Sequence, residues 1–235
     1  VPTSYAAVIE GMGANQADIG WLPTFSYLLA HEKYGAEVGL TVLRRGQKVY
    51  RGQFFARTDS GIDTLKDIQG KTIAYTDAAS TSGYIFSSGL LAQNGIVPKR
   101  HFFAGGHPQA VLAVYQGTAD AGCSYWAPPD SEGVPMDARR RIADTYPDIY
   151  QKVKIIGFTD WIPNGTVTFR KGFPEPLKET IIQALLDYVK DEQGKKIFDE
   201  LYNVDGFIRA QNSDYDVVRQ TLTALNRSIE EFVEQ

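Results

Sequence analysis

Among 235 residues the chain carries one cysteine, Cys123, two methionines and three histidines. A lone cysteine excludes an internal disulfide and any zinc cage built on several thiolates. His31, His101 and His107 do not fall at metal-ligand spacings, so neither a metal nor another cofactor is expected. No apolar run approaches the roughly 20 residues of a membrane-spanning helix. Charge of one sign is scarce too. The net charge is −4 and the longest basic run is Arg139-Arg140-Arg141, which argues against binding a nucleic-acid backbone. Neither GxSxG nor HExxH occurs. Gly70-Lys71-Thr72 imitates the end of a P-loop, but the earlier glycine position holds Leu65 and a strand, not a helix, follows. No nucleophile with its base stands out. The opening VPTSYAAVIEGM lacks the basic and apolar regions of a signal peptide. It reads as the end of a strand running into a helix, so the chain is expected to begin inside a domain.

What is present is ordinary globular composition, 43% apolar and 12% aromatic. Strand patterns alternate with helix patterns along the chain. Strands are expected at 17–22, 40–44, 49–57, 72–76, around 102–103, and at 121–125, 153–159 and 166–170. Helices are expected at 5–12, 25–34, 80–93, 107–116, 138–146, 174–190 and 214–233. That alternation predicts an α/β fold with mainly parallel sheets flanked by helices. Turn-like clusters at Thr58-Asp59-Ser60-Gly61 and around Gly157 to Gly165 predict two chain crossings. Residues 1–57 and 158–235 would form one lobe, and 58–157 a second lobe inserted in it. Ligands of such folds sit at the carboxyl ends of strands, often between domains.

The strongest local signal is TIAYTDAASTSGY. A strand ends near Thr76, and Ser80-Thr81-Ser82-Gly83 opens the next helix. The first turn of a helix has unpaired N–H groups and a partial positive charge. Three hydroxyls there add donors, and a glycine admits a ligand close to the backbone, so the segment predicts an anion site without a formal cation. The plainer reading is a helix cap, but a cap needs only one hydroxyl. In FFAGGHPQAV, His107 would be the cap and Pro108 the first helical residue, on the next strand–helix unit. Two neighbouring helix N-termini would then converge on one anion. Tyr5 and Tyr50 can each donate a phenol proton while walling a pocket, although each alone reads as packing. Trp21, Tyr125 and Trp126 at strand ends are secondary pocket candidates, as is Asn164 in a turn-like Asn-Gly-Thr. Their plain reading is core or turn. Buried Cys123 would be inert packing.

These residues carry a resemblance. VPTSYAAVIEGMGANQADIGW, DAASTSGY, GGHPQAVLAVYQGTADAG and IPNGTVTFRKGFPEPLK are similar to the solute-binding proteins of ABC importers for phosphonate, phosphite and phosphate. The similarity runs from Pro2 to about Leu186. It implies a two-lobed, type II periplasmic-binding fold with a cleft that closes on its ligand by hinge motion. It also implies that Ser80, Thr81 and Ser82 clasp a phosphorus oxyanion, that Tyr5 and Tyr50 reach it from the other side, and that His107 lines the pocket. The implied partners are the small anion and a membrane permease, with a monomeric protein. The implied location is the periplasm, or the outside of a Gram-positive cell on a lipid anchor. Family members begin with a further strand, helix and strand, on the order of 40 residues, before the segment matching Pro2 to Tyr5. That segment is expected to exist outside this chain. Members that take aminoalkylphosphonates carry a carboxylate where Gly165 stands and an acid near Ala127. This chain has neither, so 2-aminoethylphosphonate should bind poorly, its ammonium left buried without a partner. Two rival functions share the fold: a pyrimidine-synthesis-like enzyme, and a ligand-sensing domain for a membrane kinase.

Overall fold

The computed structural model describes residues 4–130, 132–224, 227–229 and 231. In chain order the elements are α1 (Tyr5–Gly13), β1 (Ile19–Leu22), α2 (Thr24–Tyr34), β2 (Glu37–Leu43), β3 (Val49–Arg57), β4 (Thr72–Tyr75), α3 (Phe86–Gln93), β5 (Arg100–Phe103), α4 (His107–Tyr115), β6 (Ala121–Trp126), α5 (Ile149–Lys152), β7 (Val153–Pro163), β8 (Thr166–Phe169), α6 (Glu175–Tyr188), α7 (Glu192–Tyr202), β9 (Gly206–Arg209) and α8 (Asp216–Ala224). The chain divides into two compact units, one of residues 1–49 and 163–235, the other of residues 50–162. These bounds correct the expected ones. Residues 50–57 belong to the second unit because β3 pairs with β6 from Arg51 to Ala56. Residues 158–162 go with it, since β7 lies beside β3 in the same sheet.

In the first unit the sheet order is β1-β8-β2-β9. β8 is antiparallel to both β1 and β2, and β9 is antiparallel to β2. The β1–α2–β2 crossover therefore joins two strands that run the same way, with β8 inserted between them. All four residues of β8 are buried. Ser4 caps α1, its hydroxyl accepting from Ala7 N–H at 3.2 Å. α2 ends on Gly35 at φ +69°, whose N–H reaches the His31 carbonyl at 2.7 Å. A residue with a side chain rarely adopts that backbone conformation. Leu40, Val42, Val167, Phe169, Ile182, Val204 and Phe207 form one core of this unit.

The second unit has the order β5-β4-β6-β3-β7. β4 pairs parallel with β5 and β6, whereas β3 pairs antiparallel with β6. The sheets are thus mixed rather than mainly parallel. After β2 the chain turns through Arg45 and Gly46, at φ 56° and 67°, with Arg44 and Gln47 exchanging backbone hydrogen bonds, and β3, which follows, enters the second sheet antiparallel to β6. Each face of this sheet has its own core. Phe54, Ile73, Tyr75, Leu91, Ile96 and Cys123 cluster on one face, beneath α3. Phe55, Ala74, Ala110, Val111 and Val114 cluster on the other, beneath α4.

Two helix expectations fail for identifiable reasons. Residues 138–146 form only a tight turn at Ala138–Ile142. Arg139 is buried: it pairs with Asp137 at 2.8 Å and donates to the Val153 carbonyl at 2.8 Å. The Asp137 carboxylate also takes the Arg139 N–H at 2.9 Å, which competes with a regular helix. The expected 214–233 helix is α8 only as far as Ala224. Residues 227–229 are not helical, and Leu225, Asn226, Glu230, Phe232 and Val233 lie outside the described residues. α7 and β9 are additions that the sequence did not suggest.

Candidate functional site

The carboxyl edge of the second unit's sheet is built by two loops that leave neighbouring strands. β4 runs out at Tyr75, and Thr76 to Ala79 carry the chain to the next helix. Asp77 shapes this loop, its carboxylate taking the Ala79 N–H at 2.8 Å and its carbonyl the Ser80 N–H at 3.0 Å. Ser80 is extended, at φ −79° and ψ 122°, and its hydroxyl accepts from Gly83 N–H at 3.1 Å. Capping accounts for that hydroxyl. The turn that follows, Thr81–Ile85, is wider than an α turn: Ile85 N–H reaches back to the Ser80 carbonyl at 3.0 Å. Wide turns of this kind concentrate at functional sites. Ser80, Thr81 and Ser82 are all buried, and among the described residues nothing hydrogen-bonds the Ser82 hydroxyl.

Gly83 is dictated by packing. A Cβ there would lie 2.0 Å from Thr76 Oγ1 and 2.7 Å from its Cγ2. The Thr76 hydroxyl is buried and has no partner among the described residues. Gly52 of β3 has a similar constraint, since its Cβ would stand 3.0 Å from the Ser82 carbonyl. The turn is therefore pressed against both β3 and the end of β4.

The second loop leaves β5 and stays tied to the end of β4. Ala104 N–H donates to the Tyr75 carbonyl at 2.8 Å, and Gly105 N–H to the Thr76 carbonyl at 2.9 Å. Gly105 has φ +87°. The cap of α4 is Gly106, so His107 is the first helical residue and Pro108 the second. The helix thus begins one position earlier than expected, because Gly106 already has the extended backbone of a cap. His107 Nδ1 lies 2.7 Å from Ser124 Oγ on β6, and its ring meets the Tyr125 ring edge-on at 4.9 Å. Burial, followed by the charge of Arg141, pushes the His107 pKa down to about 4. The imidazole is neutral at pH 7, with one nitrogen a donor and the other an acceptor. Arg141 itself donates to the Tyr125 hydroxyl at 3.3 Å. The α3 and α4 helices thus start from adjacent strands and pack on opposite faces, both aiming their N-termini past the same strand ends. That is where open α/β sheets bind ligands.

The structure brings Ser80, Thr81, Ser82 and His107 to this edge, with Tyr125 against the histidine. Trp126 meets Phe158 at 5.0 Å. Tyr50 is half-buried as the second residue of β3, and Tyr5, also half-buried, opens α1 in the first unit. Trp21 of the first unit has a packing role, stacked on Tyr202 at 5.2 Å and edge-on to Phe207 at 5.7 Å. Asn164 is a backbone clamp. Its amide donates to the Val42 and Gln47 carbonyls at 3.1 and 2.8 Å, leaving Oδ1 buried without a partner. Cys123 is buried and its thiol is pushed up by burial, as expected of inert packing. Two polar residues of this edge, Thr76 and Gln53, are not among the candidates of the sequence, and Ser124 is so only as part of the run Ser124-Tyr125-Trp126. Gln53 carried a readable signal, an amide inside the apolar strand VYRGQFFAR.

Chemically, this edge offers hydroxyls, helix N-termini and a neutral imidazole. Among the described residues no three of His, Cys, Asp or Glu cluster to hold a metal.

Comparison with known proteins bears on the family and the fold. The family model described as "ABC transporter, phosphonate, periplasmic substrate-binding protein" matches residues 1–215. The phosphate-import protein PhnD of Mycolicibacterium smegmatis is 31% identical over 137 residues, 52% of this chain and 43% of that protein. The phosphonates-binding periplasmic protein of Escherichia coli is 26% identical over 205 residues, 84% of this chain and 58% of that protein. The chain thus spans about half the length of these curated relatives. Among solved structures, a binding-protein component of an ABC phosphonate transporter from Pseudomonas aeruginosa superposes with a TM-score of 0.83 at 22% identity, over 96% of this chain and 74% of that one. PhnD1 of Prochlorococcus marinus, solved with methylphosphonate, gives 0.78 at 18% identity, over 95% of this chain and 84% of that one. At those identities the likeness establishes the fold.

Proposed function

Because the chain belongs to the periplasmic substrate-binding proteins of phosphonate ABC transporters, we propose that it captures a small phosphorus oxyanion for import. Phosphate, phosphite or an alkylphosphonate would be held at the N-termini of the turn 81–85 and of α4. The observation that carries this is the set of three consecutive buried hydroxyl residues opening one helix, with a neutral histidine opening the next. Capping explains one of those hydroxyls and leaves Ser82 unused. Neutral donors and helix dipoles bind a dianion without bringing in a buried cation, which would carry its own desolvation cost. Tyr5 and Tyr50 belong to the proposal as further hydroxyl donors. The protein would act as a monomer that hands its ligand to a membrane permease, in the periplasm or on a lipid anchor outside a Gram-positive cell.

The chain would not be an enzyme. The hydroxyl beside His107 is that of Ser124, which is wholly buried, and the ring's depressed pKa makes it a weak general base. Alkylphosphonates without an amine should be preferred. Ala127 is buried and apolar, and a Cβ at Gly165 would stand 2.8 Å from the Leu22 carbonyl, so no carboxylate fits at that position.

Calorimetry with phosphate, phosphite, methylphosphonate and 2-aminoethylphosphonate tests the reading. The first three should include the tightest ligand, and changing Ser80, Thr81 and Ser82 together to Ala should abolish its binding. Tightest binding of 2-aminoethylphosphonate would refute the specificity argument. Unaltered binding by the triple variant would refute the site. A phosphonate recovered chemically changed, by phosphorus NMR, would favour the enzyme.

A further inference from the structure

Gln53 is out of place by every local rule. It sits in β3 between Gly52 and Phe54, in a stretch where Phe54, Phe55 and Ala56 are also wholly buried. Both polar atoms of its amide are buried and neither has a hydrogen-bond partner among the described residues. A leucine or methionine of similar size would avoid the cost of stripping water from that amide. Residues that break local rules without local compensation concentrate at functional positions.

Its position says which function. The β3–β6 register puts Gln53 directly opposite Ser124. Residues so paired share a face, with Cβ atoms about 4.5–5.5 Å apart, within reach of a glutamine side chain. Ser124 is itself wholly buried, and its hydroxyl has one partner, Nδ1 of His107 at 2.7 Å. A hydroxyl can donate once and accept twice, so capacity remains at Ser124 on the side of Gln53.

We propose that Gln53 is a positioning residue of the anion site: its amide turns onto Ser124 when ligand binds and completes a chain, Gln53–Ser124–His107, that holds His107 in the one tautomer the bound ligand requires. This rests on the anion-site reading above. A dianion only accepts hydrogen bonds, so it requires His107 to present Nε2–H. Nδ1 is then bare and accepts the Ser124 O–H, and Ser124 Oγ accepts from the Gln53 amide N–H. A monoanion that presents P–OH requires the reverse. Its proton points to a bare Nε2, Nδ1–H donates to Ser124 Oγ, and the Ser124 O–H donates to the Gln53 amide oxygen. A carboxamide carries a donor at one end and an acceptor at the other, so a half-turn serves both polarities. No covalent bond changes in either case. Among the natural side chains of this size, only glutamine offers both ends without charge.

The groups around His107 leave room for this control. β6 presents the Tyr125 phenol, which takes a hydrogen bond from Arg141. The turn 138–142 contributes the Arg141 charge, while its Arg139 is held by Asp137. β4 contributes Ala74 to the core beneath α4.

The test compares the unmodified protein with Gln53→Leu, Gln53→Met and Gln53→Glu. Methylphosphonate affinity is measured by calorimetry across its second ionisation, and the His107 ring nitrogens are followed by nitrogen NMR. The unmodified protein should hold its affinity on both sides of that ionisation, with one His107 tautomer on each side. Leu and Met should fold, lose about tenfold in affinity, roughly one net hydrogen bond, and show mixed tautomers. Glu, which only accepts when ionised, should keep the monoanion and lose affinity for the dianion as pH rises. Leu, Met and Glu variants that match the unmodified protein in affinity, pH profile and tautomer would overturn the role of Gln53. Failure of the unmodified protein to bind methylphosphonate or phosphate would instead overturn the site on which it rests.

Discussion

Replacing Gly83 with alanine adds one methyl group at the point where the serine-threonine turn meets the end of β4. The new Cβ would lie 2.0 Å from Thr76 Oγ1, 2.7 Å from Cγ2 and 2.9 Å from Cβ. Thr76 is 1% exposed, so its side chain has nowhere to swing. The turn must move instead, carrying Ser80, Thr81 and Ser82 with it. Overpacking of this kind costs about 1–3 kcal/mol. The loss should show in urea unfolding, and as a fall in melting temperature of about 2–4 °C per kcal/mol for a chain of this size. Oxyanion affinity should fall as well, because the three hydroxyls are displaced as one block. Thr76→Ala removes the two nearest atoms, Oγ1 and Cγ2, and with them a buried hydroxyl that has no partner. The double variant should therefore recover a large part of the loss. A double-mutant cycle should return a coupling of about 1 kcal/mol or more between the two positions. Additive effects, or a Gly83→Ala protein with normal stability and affinity, would refute the reasoning, since the three atoms nearest the new Cβ all belong to Thr76.

Other outcomes follow from the buried ionisable groups. His107 has its folded pKa lowered to about 4, so it contributes no penalty above about pH 6.5 and costs stability as pH falls from there toward 4. The unfolded chain binds the proton first. The loss has a ceiling of about 3 kcal/mol at 1.36 kcal/mol per unit. His107→Gln should flatten that acid limb in urea midpoints taken at pH 7 and pH 4.5, and an unchanged slope would contradict the assignment. Arg139→Met leaves the Asp137 carboxylate buried without its partner, and should cost about 3–5 kcal/mol. Changing both, Asp137→Leu with Arg139→Met, should recover most of this by the same measurement.

How much of this was legible follows from how local each feature is. The turn Thr81–Ile85 and the start of α4 were readable because caps, helix-opening prolines and glycine turns act over a few neighbours. α7 carried a signal that was passed over: Ile197, Phe198, Leu201 and Tyr202 recur at helical spacing on one face, but all four fall in the last two turns of the helix. The turn 138–142 falls short of the helix expected over 138–146 because its ordering contacts are not local: Arg139 is enclosed by Asp137, the Val153 carbonyl and the Tyr150 ring. The ring contacts of Trp21 were not legible, since its neighbours Tyr202 and Phe207 arrive from some 180 residues later in the chain.

By itself the sequence determined the class of fold, the scarcity of metal and thiol chemistry, and a run of hydroxyls at a helix start suited to an anion. These depend on residue type and on spacing within one element. Only the tertiary structure decided the strand directions, the limits of the two units and the company of His107. It placed Ser124 against the ring and Gln53 opposite Ser124 by strand register, a pairing across 71 positions that no periodicity encodes. Register is set by which faces bury, and burial is a property of the folded sheet rather than of any one strand.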